Sequence, residues 1–235
     1  AAAAALGPGG ADAERDLAIQ QEALRRGTVR VAILPIGTEG AAGTRLPAEL
    51  TAALNDELEL NRWPRAPLFV EVLDPRTVRA TGRRHGYTRP APSLRDAVQL
   101  GRAVGADLVL RPAIDSVAVV ESDLRETRRP ARTVAGADTA YTLREGRRAM
   151  RVRVTYHVVR VRDFSESGEE EVWGSADVRF REARYAGNPR DLSLERRDRQ
   201  LFDERPSREL VDDLTRDLAL RLERDIFDRL LREVR

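Results

Sequence analysis

Cysteine is missing from this 235-residue chain, and so is lysine. Without cysteine there is no disulfide, no thiolate chemistry and no Cys-ligated zinc or iron–sulfur centre. Without lysine, all 41 basic side chains are arginine. Histidine occurs twice, at His85 and His157, and aromatic residues make up 5%. No apolar run approaches the roughly 18 residues that a membrane-spanning helix needs. Excess charge of one sign is lacking too: 41 basic against 39 acidic residues leave a net charge of +2. The arginines alternate with Asp and Glu along the chain, which denies nucleic acid the basic face it would need. The arginine content therefore reads as replacement of lysine throughout the composition, and no nucleic-acid partner is expected.

What is present suffices for a core. The apolar fraction is 41%, and the length fits one large domain or one domain with extensions. Residues 1–10, AAAAALGPGG, are low in complexity and read as a flexible tether. A short N-terminal helix is expected over 11–26. The chain starts without an initiator Met, which reads as a trimmed product and is compatible with a removed signal peptide.

From residue 28 on, the pattern is α/β. TVRVAILPI is a strand apolar on both faces in its second half, as a covered sheet requires. Leu46, Leu50, Leu54 and Leu58 then recur at i, i+4 spacing and predict a helix. LFVEVLD is a second strand, and 74–92 is Pro-, Gly- and Arg-rich with at most a short helix near PRTVRA. Ser93 with Asp96 makes a capping box for a helix that Gly105 ends in a left-handed cap. An extended segment, ADLVLRPAIDSVAVVES, follows, and two long alternating strands are expected near 147–163 and 171–184, joined by FSESGEE. The last 29 residues carry Leu210, Leu214, Leu218, Leu222, Ile226 and Leu230 on one stripe. Asp212/Arg216, Asp217/Arg221 and Asp225/Arg229 stand at i, i+4, each pair worth only about 0.2–0.5 kcal/mol. The expected fold is a single α/β domain over 28–235 with a mixed sheet. Its order is β-α-β-α-β, then a long antiparallel hairpin and a closing C-terminal helix, with an insertion at 122–146.

The glycine-rich loop 37–44, between strand and helix, is the place to look for a phosphate cradle. It fails both phosphate-binding patterns. Gly37 and Gly43 have five residues between them where a P-loop has four, and Thr44 stands where the lysine belongs. Thr38 occupies a glycine position of the dinucleotide fingerprint, so the loop reads as a connection. His85 lies in a polar loop without carboxylates at ligand spacing, and His157 alternates with Arg153 and Thr155 on a hydrophilic strand face. Asp115, inside an apolar segment, reads as an ion-pair partner of Arg111 or Arg153 in preference to a catalytic carboxylate. No catalytic residue, cofactor site or metal site is expected.

Two segments carry a family resemblance. VAILPI in the first strand, followed by LGRAVGADLVLRPAIDSV, resembles periplasmic proteins of the TolB amino-terminal-domain-like group. That group includes the curli secretion channel subunit and the penicillin-binding-protein activator lipoproteins. Gly105-Ala106-Asp107-Leu108-Val109-Leu110 fits its pattern, while Arg111-Pro112 stands where the family often has Gly. The resemblance covers about residues 28–120 by motif and the remainder by element order. It implies a non-enzymatic envelope protein, periplasmic and held at the outer membrane by a lipid anchor, that docks onto a larger machine or onto further copies of itself. The acylated cysteine of such an anchor is absent from this sequence. A secretion-channel subunit is the alternative within the group, but a hairpin through 122–146 would be charged throughout and could not face lipid. A cytoplasmic nucleotide-handling enzyme is a third reading, disfavoured by the loop. Within 122–146, Arg125, Arg128, Arg129 and Arg132 with Tyr141 are residue types enriched at interfaces, and they are the candidate partner-binding residues.

Overall fold

The computed structural model describes residues 27–41, 43–60, 69–87, 92–203 and 205–234. The expected tether and N-terminal helix lie outside these residues, apart from Gly27. Strand β1 (Val29–Ile33) is central in the parallel part of the sheet, between β2 (Val70–Val72) and β3 (Leu108–Arg132). Strand β4 (Asp138–Arg160) runs antiparallel to β3, and both β5 (Ser165–Glu166) and β6 (Glu170–Arg184) pair antiparallel with β4. Helices α1 (Leu46–Leu60), α2 (Pro75–Arg84), α3 (Leu94–Val104), the single turn α4 (Arg196–Arg199) and α5 (Arg205–Val234) complete the mixed α/β domain.

Two cores form because the sheet buries both faces at its base. On one face, Leu46, Leu50, Leu54 and Leu58 of α1 and the leucine stripe of α5 pack on Val31, Leu110, Val154 and Tyr156. On the other, Val78 of α2 with Ala97, Val98 and Leu100 of α3 pack on Ala32, Val109 and Val159. Neighbouring residues of one strand thus feed opposite cores, which is why VAILPI carries no alternation. The capping box of α3 is present, with Asp96 N donating to Ser93 Oγ and Ser93 N to Asp96 Oδ2, both at 3.2 Å. Gly105 closes the helix at φ 69°, in the left-handed region where a Cβ is unfavourable. Asp107 then accepts the Arg30 amide at 2.8 Å, tying the end of this turn to β1.

Helix α2 is longer than the sequence suggests. Asp74 caps it by accepting from Arg76 N and Thr77 Oγ1, each at 3.0 Å, with Pro75 in the first turn. Burial of Val78, Thr81 and Gly82 carries it through ten residues of poor intrinsic propensity.

The segment 122–146 is not a loop inserted between strands. It is the far half of a β3–β4 hairpin whose register runs to Arg132 opposite Asp138, interrupted by irregularities at Ile114/Ser116 and Ser122/Arg125. Only 133–137 turns the chain, with Gly136 at φ 86°. Strand β6 follows β4 outward from Tyr156–Glu170 to Thr142–Arg184. Three antiparallel strands thus continue past the base of the sheet as an arm. In α5, Asp217 pairs with Arg221 at 2.9 Å as expected, but Arg216 turns to Asp213. Arg229 takes Glu233 at 2.6 Å, and Asp225 instead accepts the buried Tyr156 hydroxyl at 2.6 Å.

Candidate partner-binding surface

The glycine loop is a strap laid along β3. Gly37 N donates to Pro112 O at 2.8 Å and Gly37 O accepts from Ile114 N at 3.1 Å. Ala41 N and Thr44 N donate to Thr38 O and Ala41 O. A phosphate cradle needs such amides aimed outward at the ligand, whereas here they end on carbonyls. Gly40 is glycine for a steric reason: a Cβ there would stand 2.1 Å from the Asp115 carbonyl oxygen.

The other singled-out residues are also engaged. Asp115 accepts from Arg153 Nε at 2.6 Å across the sheet, while Arg111 pairs with Glu166. His157 sits 3.6 Å from Glu169 and 3.9 Å from Glu166, and His85 caps α2 and stacks on Tyr87 with ring centroids 6.1 Å apart. Among the described residues, no three His, Asp or Glu side chains gather as a metal site.

The candidate docking residues divide. Arg125, Arg128, Arg129 and Arg132 all lie exposed on the distal half of β3. Arg132 pairs with Asp138 at 3.0 Å, whereas Arg125, Arg128 and Arg129 make no ion pair among the described residues. Tyr141 does not belong to this surface. It is buried with Leu143, Ala183 and Leu192, its ring meets Phe202 edge-on at 5.6 Å, and burial pushes its hydroxyl pKa up. The segment 189–202 folds over this face of the arm and covers it, a placement with no local signature in the sequence.

The opposite face holds a network that sequence reading missed. Arg144 and Arg148 are each only 8% exposed, although no helix stripe accounts for their burial. Arg144 donates to Glu121 (2.9 Å), Glu126 (3.0 Å) and Glu182 (2.8 Å). Arg148 donates to Glu121 at 2.7 Å and Glu182 at 3.0 Å, and its guanidinium lies 4.4 Å from the Phe180 ring centroid. The Arg148 hydrogen bonds hold the Glu121 carboxyl below its usual range against the opposing effect of burial. These contacts link β3, β4 and β6 and fasten the arm. The available signal was parity: Arg144 and Arg148 share the even-numbered face of Val152, Val154 and Tyr156.

Among the described residues, the outer edge of β3 is covered at both ends and unpaired between. At its base it pairs with β1 over Leu108–Leu110 and with Gly37 at Ala113. At its tip, Ser193 N donates to Arg132 O at 2.7 Å and Val134 N to Asp191 O at 2.8 Å, an antiparallel bridge. Among the described residues, no strand pairs with that edge between 116 and 131. Along this stretch Val119, Val120 and Leu124 are 52%, 59% and 44% exposed. Separately, a cavity of about 430 Å³ opens beside the covering segment, with Arg190, Arg196, Arg199, Phe202 and Asp203 on its walls.

The geometry defines a mixed α/β domain with a projecting antiparallel arm, held closed by a long C-terminal helix. No family model matches the chain, and no curated protein matches it. Among solved structures, it is similar to a lipoprotein from Neisseria meningitidis (12% identity, TM-score 0.39, covering 63% of this chain and 83% of that one). It is also similar to a chain described as a neuraminyllactose-binding hemagglutinin homologue from Helicobacter pylori (10%, TM-score 0.43, 88% and 90%). A third similarity is to a chain assigned as a lipoprotein from Caulobacter crescentus (10%, TM-score 0.37, 86% and 90%). These are likenesses of architecture at low identity.

Proposed function

We propose that this chain is a non-enzymatic protein of the bacterial cell envelope that works by docking its arm onto another envelope protein. The observation that carries the docking is the arm itself. It projects three strands past the base of the sheet, is fastened by its own ion network, and presents Arg125, Arg128 and Arg129 without an ion pair among the described residues. What sets these three apart is their clustering on one strand, within five residues of each other on the exposed distal half of β3. The envelope assignment is supported by the two segments that resemble the TolB-like periplasmic group. They lie side by side, Val31 opposite Leu108 and Ile33 opposite Leu110, with Asp107 bonded to β1. The non-enzymatic reading is supported by what the candidate chemical groups do: the Gly37, Ala41 and Thr44 amides end on carbonyls, Asp115 pairs with Arg153, and His157 lies beside Glu169.

The length of the hairpin gives the secretion-channel reading its one favourable observation. Its charges oppose it. Arginines alternate on both faces of distal β3, and each would cost about 2–4 kcal/mol at a bilayer midplane. The test is a photo-crosslinking residue at position 128 in the protein expressed from its natural gene, followed by fractionation of the cells. Defined adducts with an envelope protein are expected. Cytosolic fractionation without adducts would refute the reading.

A further inference from the structure

We infer that the open stretch of the β3 edge accepts an extended segment of a partner protein as an added antiparallel strand, acidic toward its N-terminal end and apolar toward its C-terminal end. This rests on the docking reading and names the chemistry of the partner.

The edge already accepts such a strand at its tip. Residues 191–193 run antiparallel to β3 there, with Arg132 O and Val134 N as their partners. Register is continuous from Arg125 to Arg132, so the two-residue repeat carries the same outward orientation back to Pro130, Arg128 and Glu126. Pro130, which has no N–H, therefore falls on the open edge and costs the β3–β4 ladder nothing. The backbone groups of Arg128 and Glu126 are left facing outward, and a strand entering below the 191–193 cover would meet them first.

Side chains set the direction and the chemistry of that strand. Arg125 and Arg129 project on one face of β3 and Arg128 on the other, so the tip end of the incoming strand needs acids on both its faces. Farther toward the base, Leu124, Val120 and Val119 are exposed and ask for apolar neighbours. An antiparallel partner passes the tip first, and its acids therefore precede its apolar residues. The irregularity at Ser122/Arg125, with Asp123 at φ 53°, and Pro130 guard this edge against indiscriminate pairing. A second copy of the chain fits poorly. Antiparallel self-pairing of the distal edge sets outward-facing residues opposite outward-facing ones: centred on Arg128 it sets Arg128 against its own copy, and centred on Thr127 it sets Arg125 against Arg129. Sliding the copies to bring Asp123 opposite Arg128 sets Val119 against Arg132.

The experiment uses fluorescence anisotropy with the full chain and labelled peptides of about twelve residues. One peptide has an Asp/Glu-rich N-terminal half and a Val/Thr-rich C-terminal half, and a second carries the same residues in reverse order. The first should bind at least about tenfold more tightly than the second. Arg125→Glu with Arg129→Glu, both exposed positions that should leave folding intact, should weaken it about tenfold or more. N-methylation of alternate peptide amides on one edge should abolish binding, a loss that side-chain attraction alone would not produce. Equal binding of both peptides, indifference to N-methylation, or no binding at about 1 mM would each overturn strand addition. So would concentration-dependent dimerisation that the double charge reversal abolishes, since it would place a second copy on the edge. Adducts from position 128 that persist while both peptides fail would sink the strand and leave docking standing. Failure of the adducts as well would sink both.

Discussion

Replacing Arg148 with Met tests whether the ion network holds the arm. Arg148 gives Glu121 two hydrogen bonds, at 2.9 and 2.7 Å, and Glu182 one at 3.0 Å. The two carboxylate side chains are only 24% and 18% exposed. Met keeps a straight apolar stem against Phe180 but leaves Arg144 alone to face Glu121, Glu126 and Glu182. Breaking a buried pair by removing one partner costs roughly 3–5 kcal/mol. Here both carboxylates keep Arg144, so the expected loss at about pH 7 is smaller, about 2–3 kcal/mol. The loss should depend on pH in a definite direction. Because the folded-state pKa of Glu121 is depressed, chiefly by Arg148, the stability it contributes is present above the unfolded carboxylate range, near about 4.3, and fades as pH falls through the folded value. In the variant that depressing bond is gone, so the gap between the two proteins should narrow on acidification toward about pH 4. A second change sharpens the test. Glu121→Gln should destabilise the wild type yet stabilise Arg148→Met, because there it removes an underpaired charge. Urea unfolding of the four proteins at both pH values measures all of this. A loss below about 0.5 kcal/mol at neutral pH, or a gap unchanged by acid, would refute the reasoning.

Other perturbations probe other links. Leu218 is fully buried on α5 against Gly174, and Leu218→Ala should lower stability by about 2–5 kcal/mol in urea; a negligible shift of the midpoint would mean that the helix does not close the core. Gly40→Ala forces a Cβ into the Asp115 carbonyl and should cost about 1–3 kcal/mol, read as a drop in thermal midpoint, with an unchanged midpoint showing that the strap can lift away. Ser93→Ala removes one side of the capping box of α3 and should cost about 1 kcal/mol, whereas a loss within error would mean that water caps the helix equally well. Calorimetric titration with magnesium and ATP should show no heat beyond dilution, since the Gly37, Ala41 and Thr44 amides already end on carbonyls and the loop has no lysine; micromolar binding lost on Gly43→Val would contradict that.

Local signals in the chain determined much of this molecule. The i, i+4 leucines of α1 and α5 declare their buried stripes because a helix repeats its face every few residues. Ser93, Asp96 and Gly105 declare both ends of α3 because caps are satisfied within a turn. The mismatch of the loop with both phosphate-binding patterns was also legible, from glycine spacing and the missing lysine. Tertiary structure alone decided the rest. Helix α2 reaches ten residues only because the second core receives Val78 and the turn that follows. Residues 122–146 read as a charged insertion because hydrophobicity marks a strand's buried face, and on one face of this stretch burial falls on Arg144, continued by Arg148 just beyond it. Their carboxylate partners stand between 18 and 38 residues away in the chain. Tyr141 read as an interface residue because nothing local announces that 189–202 will fold over it. Strand alternation is local, but the partner that covers each face arrives from a distant part of the chain, and only chain packing brings the two together.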